Sequence, residues 1–467
     1  METPRGSPPF WRANAGLLAG AAVCQAAYTA LALRGDLGTH IPLTWAAFYT
    51  AFAAYAAVSW RAVRRPSGSL GVVLAGALVF RLTLLPSTPS LSDDIYRYLW
   101  DGRVQWAGVN PYRYAPEAAE LAPLQVELGE VFPQINHRHI PTIYPPVAQV
   151  FFLAVTGGGA NPVAAKVGLV LAEALLVAAV LGLLRQRGLD SRRLVLYAWN
   201  PLAVVEIAGS GHVDALALAL LCGALYWLGR GAWRRSGAVL GAAFLAKLVP
   251  AVAAPLLWRE HRRALRRASA GAGLRLDMRA LPPLGWFVAV AALGYGAYAS
   301  AGAGLFHGLW TYAATWRFNS AAYSLLASAL QIAGLTEAAA LQAARWVCAV
   351  AFAGIAAGLY RRCADPARAT FLLLGAHLAL SPTVHPWYVL WILPFLPLFP
   401  ELAWVALSGL VFLAYWVLDG YRSGGVWKES TWVRCVEYAP FYALLTRAWL
   451  ARAWLAVTRR RRSQPPA

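Results

Sequence analysis

Apolar runs of about 17–25 residues recur along the whole of this 467-residue chain. That length suits a helix crossing the ~30 Å hydrocarbon core of a bilayer at about 1.5 Å per residue. With 59% hydrophobic and only 13% charged residues, and a mean hydropathy of +0.50, the sequence reads as an all-α, polytopic membrane protein rather than a soluble one. Forty-one Lys and Arg against 21 Asp and Glu give a formal charge of +20, which in a soluble domain would suggest nucleic acid. Here the basic residues fall in short loops between apolar runs, as the positive-inside rule requires, and no basic, aromatic-interleaved domain is present. No nucleic-acid partner is expected. The five cysteines form no CxxC and no close pairing with histidine, so neither a structural metal nor a disulfide framework is expected.

Charge alternation sets the expected threading. The first run, about 15–33, is long enough to span and lacks a convincing cleavage site, which reads as a retained helix with a cytoplasmic N-terminus. Spans at 42–60 and 69–86 flank "RAVRRPSG" (61–68), a basic and therefore cytoplasmic loop, so residues 87–143 form a long extracytoplasmic loop. From there the chain must reach the basic segment ending at 193 by an odd number of crossings. That assigns 163–184 as a span and 144–158 as an interfacial or re-entrant helix. Two short helices over 194–229 place "GSGHVD" (209–214) at an outer turn. The run 236–258 lies between basic loops, and reads either as half-length helices broken near Lys247 and Pro250 or as one span against the charge rule.

After the basic loop 259–279, a span at about 281–299 leads to a second aromatic outer loop, 300–324. Spans near 336–359, 370–384, 387–400, 402–418 and 436–456 follow, with 459–467 as a cytoplasmic tail. The expectation is one integral domain over 1–467 with roughly 12–14 crossings in the cell's inner (plasma) membrane.

Within this apolar chain, "SLSDDIYRYLWDGRVQWAGVNPYRYAPE" (90–117) stands out. At helical spacing Ile95, Leu99, Gly102 and Trp106 share one face, and Asp94, Arg97, Asp101 and Gln105 another, which predicts an interfacial helix over 92–106. Pro111 disfavours helix at Asn110 and ends it. Ser90 and Asp93 have capping-box spacing, and Asp94 could be a solvated acid paired with Arg97. The functional reading is that Asp93 or Asp94 serves as a general base beside a lipid-linked substrate. A departing phosphate would need cations, for which Arg97, Arg103, Arg113, His137, Arg138, His139, Arg317 and Lys247 are outer-side candidates, with Tyr96 beside them. Lys247 can equally be a snorkelling lysine.

Glu206, His212 and Asp214 gather around one predicted outer turn, where ionisable residues at membrane depth point to function. The H-x-D spacing is a weak metal signal, and Asp214 as a helix cap is an equal alternative. His385 could donate to phosphate or sugar, or be a satisfied interfacial histidine. Trp310, Trp316 and Trp387 could stack on a sugar or simply belong to the aromatic belt.

Taken in order, the acidic pair with "GVNPY", the "YPP" that begins at Tyr144, "NPL" with "GHVD", "LAKLVP" and a late "HPWY" resemble the GT-C superfamily of integral membrane glycosyltransferases. Within it the chain is most similar to bacterial polyprenyl-phosphate-mannose-dependent mannosyltransferases, over most of residues 69–400. The resemblance implies a GT-C-like fold, a polyprenyl-phosphate sugar donor and a lipid or glycan acceptor. Transfer would be inverting, on the extracytoplasmic face. It also implies that an acid of the first large loop is the base, here Asp93 or Asp94, with Asp93 favoured as the leading acid. Two spans precede the acidic loop's span, where the usual core has one. No cofactor is expected. Competing readings are transfer of another prenyl-linked sugar to lipid A, polymer or protein, a lipid or solute transporter, and a noncatalytic subunit.

Overall fold

A computed structural model describes residues 9–64, 68–268 and 281–462. The expected basic loops and tail fall partly outside them, at 65–67, 269–280 and 463–467. Regular structure among the described residues is helical, with one isolated parallel bridge between Phe318 and Thr383.

Polar residues at the ends of the apolar runs decide where helices start. Ser69 accepts from the Val72 amide, Asn161 from Val163, Thr336 from Ala339 and Asp365 from Ala367, each satisfying an otherwise orphaned helical N–H. Pro162 and Pro366 then occupy the first turn, where the missing N–H costs nothing. Among the described residues five helices are long and apolar enough to cross a membrane: Phe10–Arg34, Ile41–Arg64, Pro162–Gln186, Glu337–Arg362 and Leu402–Gly424. Pro282–Gly296 and Ala299–Thr315 pass together but bend by 103°. The remaining apolar runs form six shorter helices, so fewer segments meet the length test than the roughly 12–14 crossings expected.

The shortfall has local causes. The 236–258 run is broken as one of its two readings required: Trp233–Ala246 stops, Lys247 is extended (φ −158°, ψ 140°), and Val249–Ala253 forms a 3-10 turn that includes Pro250. The span expected at 387–400 is instead a pair of 3-10 turns, Pro386–Trp391 and Leu393–Phe395. Pro394, Pro397 and Pro400 deny that run three of its ladder donors, and Val389, Leu390, Ile392, Leu393, Phe395 and Leu396 are fully enclosed by protein rather than facing lipid. Ionisable residues follow the same logic. Arg81 and Glu173 meet as a bidentate buried pair at 2.6–2.7 Å, with Tyr197 donating to the same carboxylate.

The helix predicted over 92–106 spans Asp94–Trp106 and packs on the ten-residue helix Pro146–Val155. Gly102 permits the approach, because a Cβ there would sit 2.4 Å from the Phe152 carbonyl oxygen. The amphipathic expectation needs correction at both faces. Trp106 is 54% exposed, whereas Asp101 on the polar face is 1% exposed and is held by Arg97, Thr142 and Gln149. Protein, not solvent, covers that polar face.

Candidate active site

Three irregular segments converge beside the start of this helix. Asn200 caps a three-residue helix, Pro201–Ala203, whose continuation Val204–Gly209 is a π-turn carrying Glu206. Turns of that kind recur at functional sites because the extra residue re-aims side chains. Gly211 (φ +82°) then reverses the chain in a conformation that L side chains rarely adopt, which delivers His212 and Asp214. Lys166 anchors both approaches. Fully buried, its ammonium donates to Ser87 O at 2.5 Å, Gly209 O at 3.2 Å and Leu84 O at 3.4 Å, tying the head of the acidic loop to the histidine turn.

The capping box at Asp93 is not formed. Ser90 Oγ accepts from the Leu37 amide, and Asp93 makes no side-chain cap bond but accepts from Asn136 Nδ2 at 2.5 Å. Asp94 is not paired with Arg97, which bonds Asp101 instead. Its Oδ2 lies 3.7 Å from His212 Nδ1, and His212 Nε2 lies 3.2 Å from Glu206 Oε2. Tyr415 donates to the other Glu206 oxygen at 2.8 Å. Asp214 is not a side-chain cap either: its Oδ1 accepts from Lys247 Nζ at 2.7 Å and from Trp391 Nε1 at 2.6 Å. Lys247 sits over the Tyr388 ring at 4.8 Å, and the Tyr388 and Tyr312 hydroxyls meet at 2.5 Å.

A ring stack closes one side. Trp387 lies on His212 with centroids 4.0 Å apart, His385 on Trp387 at 4.4 Å, and Phe318 on His385 at 4.8 Å. Within this cluster both His212 nitrogens, Glu206 Oε2 and Asp214 Oδ2 are buried without a hydrogen-bond partner. Buried polar atoms of this kind are costly unless something completes them. Among the described residues no group of three or more His, Cys, Asp or Glu could hold a metal ion.

Electrostatics set the two acids apart from ordinary carboxylates. Burial first, then the charge of Asp94, push Asp93 up to about 7, against the lowering effects of Asn136 and His212. Asp94 is also raised, again by burial, with His212 and Lys247 pulling the other way.

The predicted residues divide cleanly. Asp93, Asp94, Glu206, His212, Asp214, Lys247, His385 and Trp387 come together, and Tyr144 packs beside them against Tyr98 at 4.9 Å. Tyr96 is half-buried within the field of Asp93. Arg97, Arg103 and Arg317 do not join: they face Asp101, Glu127 and Glu337 at 2.8, 2.7 and 4.0 Å. Arg113 and Arg138 lie over Tyr114 and Phe132, and Trp310 is 73% exposed. His137 and Trp316 instead bridge the two predicted outer loops, 4.4 Å apart. Sequence reasoning missed Asn136, Lys166, Tyr312, Tyr388, Trp391 and Tyr415. Only Tyr388 and Trp391 carried a signal, since Tyr388 ends the "HPWY" motif and Trp391 follows three residues later.

Membrane-length helices packed around a buried cluster of acids, histidine and lysine are those of a polytopic membrane protein. Residues 13–259 match the family described as alpha-(1->6)-mannopyranosyltransferase, N-terminal domain, and the chain belongs to that family of GT-C type mannosyltransferases. It is therefore a glycosyltransferase, which sets aside the transporter and noncatalytic readings. Neither a curated protein nor a solved structure matches the chain.

Proposed function

We propose that this enzyme moves a mannosyl group from a polyprenyl-phosphate donor to a primary 6-hydroxyl of a lipid-linked or glycan mannoside, on the extracytoplasmic face and with inversion. The observation that carries this reading is the convergence of Asp94, His212 and Lys247 from three separate segments on one ligand-ready cluster. In a single displacement the acceptor oxygen bonds C1 as the C1–O bond to phosphate breaks. The acceptor proton passes to a carboxylate, and the electron pair leaves with the phosphate.

Geometry favours Asp94 over Asp93 as that base, a change from the leading-acid expectation. Asp94 faces His212, whereas Asp93 is held by Asn136 and feels the charge of Asp94. Lys247 is the cation best placed for the departing phosphate, since the aromatic rings around it limit its hydration and make its charge count. His385 and Trp387 offer a flat wall for the sugar.

The test is transfer of label from radioactive polyprenyl-phosphate-mannose in membranes carrying wild type, Asp93→Asn or Asp94→Asn at matched expression. Transfer by wild type that is abolished in Asp94→Asn and reduced in Asp93→Asn is expected. Full activity in Asp94→Asn would remove the carboxylate mechanism.

A further inference from the structure

The described chain holds a second buried acid cluster that the transfer chemistry does not use. It lies where the segment 317–320 meets the C-terminal helix Thr431–Arg462. Asn319 is in the left-handed region (φ +48°), uncommon for any residue with a side chain. Three of its polar groups are engaged. The amide donates to Glu429 Oε2 at 2.8 Å, Nδ2 donates to Glu437 Oε2 at 2.7 Å, and the carbonyl accepts from the Tyr438 hydroxyl at 2.7 Å. Glu437 is fully buried, and its second oxygen has no hydrogen-bond partner among the described residues. Such an acid is retained at a cost that ordinary helix packing would not demand.

What the cluster holds is the neighbour of Asn319. Phe318 donates its amide to Pro382 O at 3.1 Å and accepts from the Val384 amide at 2.8 Å, the one bridge in the described chain. Its ring closes the far end of the stack that runs through His385 and Trp387 to His212. A left-handed residue immediately after Phe318 fixes the direction of that ring. If Asn319 relaxed to the right-handed or extended region, Phe318 would leave His385.

We infer that Glu437 is a positioning residue: through Asn319 it clamps Phe318 on His385 and so holds the His385–Trp387–His212 wall in register with Asp94. The clamp rests on the proposed site for its effect on transfer, but its structural half can be read separately. Glu437, Tyr438 and Glu429 all lie outside the matched residues 13–259. The C-terminal helix thus supplies the site with alignment rather than with a reacting group.

Hydrogen–deuterium exchange on the full-length protein in detergent, paired with transfer assays, tests this. Glu437→Leu removes the acceptor, whereas Glu437→Gln keeps an amide oxygen for Asn319 Nδ2. Exchange at Phe318 and Val384 should rise about tenfold in Glu437→Leu, the scale of losing one buried hydrogen bond, and return towards wild type in Glu437→Gln. The same leucine variant should lower kcat by about 10- to 100-fold with a smaller change in KM, as for a wall misplaced by about 1 Å, and glutamine should rescue it. If Glu437→Leu does not accumulate, Asn319→Gly removes the same Nδ2 bond while leaving the left-handed backbone accessible, and should also speed exchange at Val384. Unchanged exchange at both amides would overturn the clamp whatever the activity. Faster exchange with unchanged kcat, in a protein that Asp94→Asn inactivates, would overturn the positioning role and leave the proposed function standing. An active Asp94→Asn would instead overturn the proposed function, and with it the effect on transfer, while exchange still decides the clamp.

Discussion

Replacing Asp93 with asparagine should leave the acid limb of transfer in place and remove a second titration near pH 7. Asp93 sits at about 7, lifted first by burial and second by the adjacent charge of Asp94. Two acids this close lose their protons in steps that belong to the pair. With Asp94 as base, transfer requires the pair to have released a proton, so kcat/KM should fall by about tenfold per pH unit below the midpoint. Asp94 loses its proton first, because its charge raises Asp93 while Asp93 is not among the charges acting on it, so Asp93→Asn should leave that midpoint in place and remove only the later titration near 7. At about one unit below the wild-type midpoint, variant and wild type should then keep similar shares of their own plateau rates.

Stability gives an independent check with a defined sign. Because the folded pKa lies above the ordinary 3.8, the stabilisation linked to this proton is fully present below 3.8 and is lost as pH rises through about 7. Thermal unfolding should therefore show wild type losing stability relative to Asp93→Asn across that window. The assay is initial-rate transfer from polyprenyl-phosphate-mannose over about pH 5 to 8.5, scaled to each protein's plateau. A midpoint lowered by about a unit with a preserved plateau would refute the reasoning, because it would mean that the base titrates against an already charged Asp93.

Three further outcomes are expected. Glu173→Gln should cost about 3–5 kcal/mol by leaving Arg81 buried without its counter-ion, whereas Arg81→Met with Glu173→Leu should cost less than that single change; SDS-titrated unfolding ranks them, and equal losses would contradict the coupling. Gly211→Ala adds a Cβ 2.6 Å from Ile95 Cδ1 at φ +82°, a strain of roughly 1–2 kcal/mol. It should lower transfer by about 10²-fold through misplacement of His212, and a wild-type rate would exclude that role for the turn. Lys247→Met should reduce kcat/KM by roughly 10²–10³-fold, with Lys247→Arg partly active; activity unaffected by methionine would make Lys247 only the partner of Asp214.

Much of the protein was legible without coordinates, for a physical reason. Hydrophobic length is a one-dimensional property, so the runs that became Pro162–Gln186 and Glu337–Arg362, and the all-helical class, follow from residue type alone. Local chain chemistry is equally readable: Pro250 breaks its run beside Lys247, and Pro111 follows the end of the Asp94–Trp106 helix. Rare ionisable residues in apolar surroundings flagged Asp93, Asp94, Glu206, His212, Asp214 and Lys247.

Pairing was not legible, because it depends on which segments meet. Spacing offered Ser90 to Asp93 and Arg97 to Asp94, yet the fold gave Ser90 to Leu37, Asp93 to Asn136 and Arg97 to Asp101. Periodicity separated the two faces of the 92–106 helix, but only packing buried the polar one against Thr142 and Gln149. Lys166, Tyr415 and Glu437 gave no sequence signal, since each acts on a partner at least 43 residues away in the chain. The sequence by itself thus determined a helical membrane protein and the residue types of its chemistry. Which acid faces the histidine, and what holds the wall beside it, was decided only in tertiary structure, because contacts between distant segments leave no periodic trace.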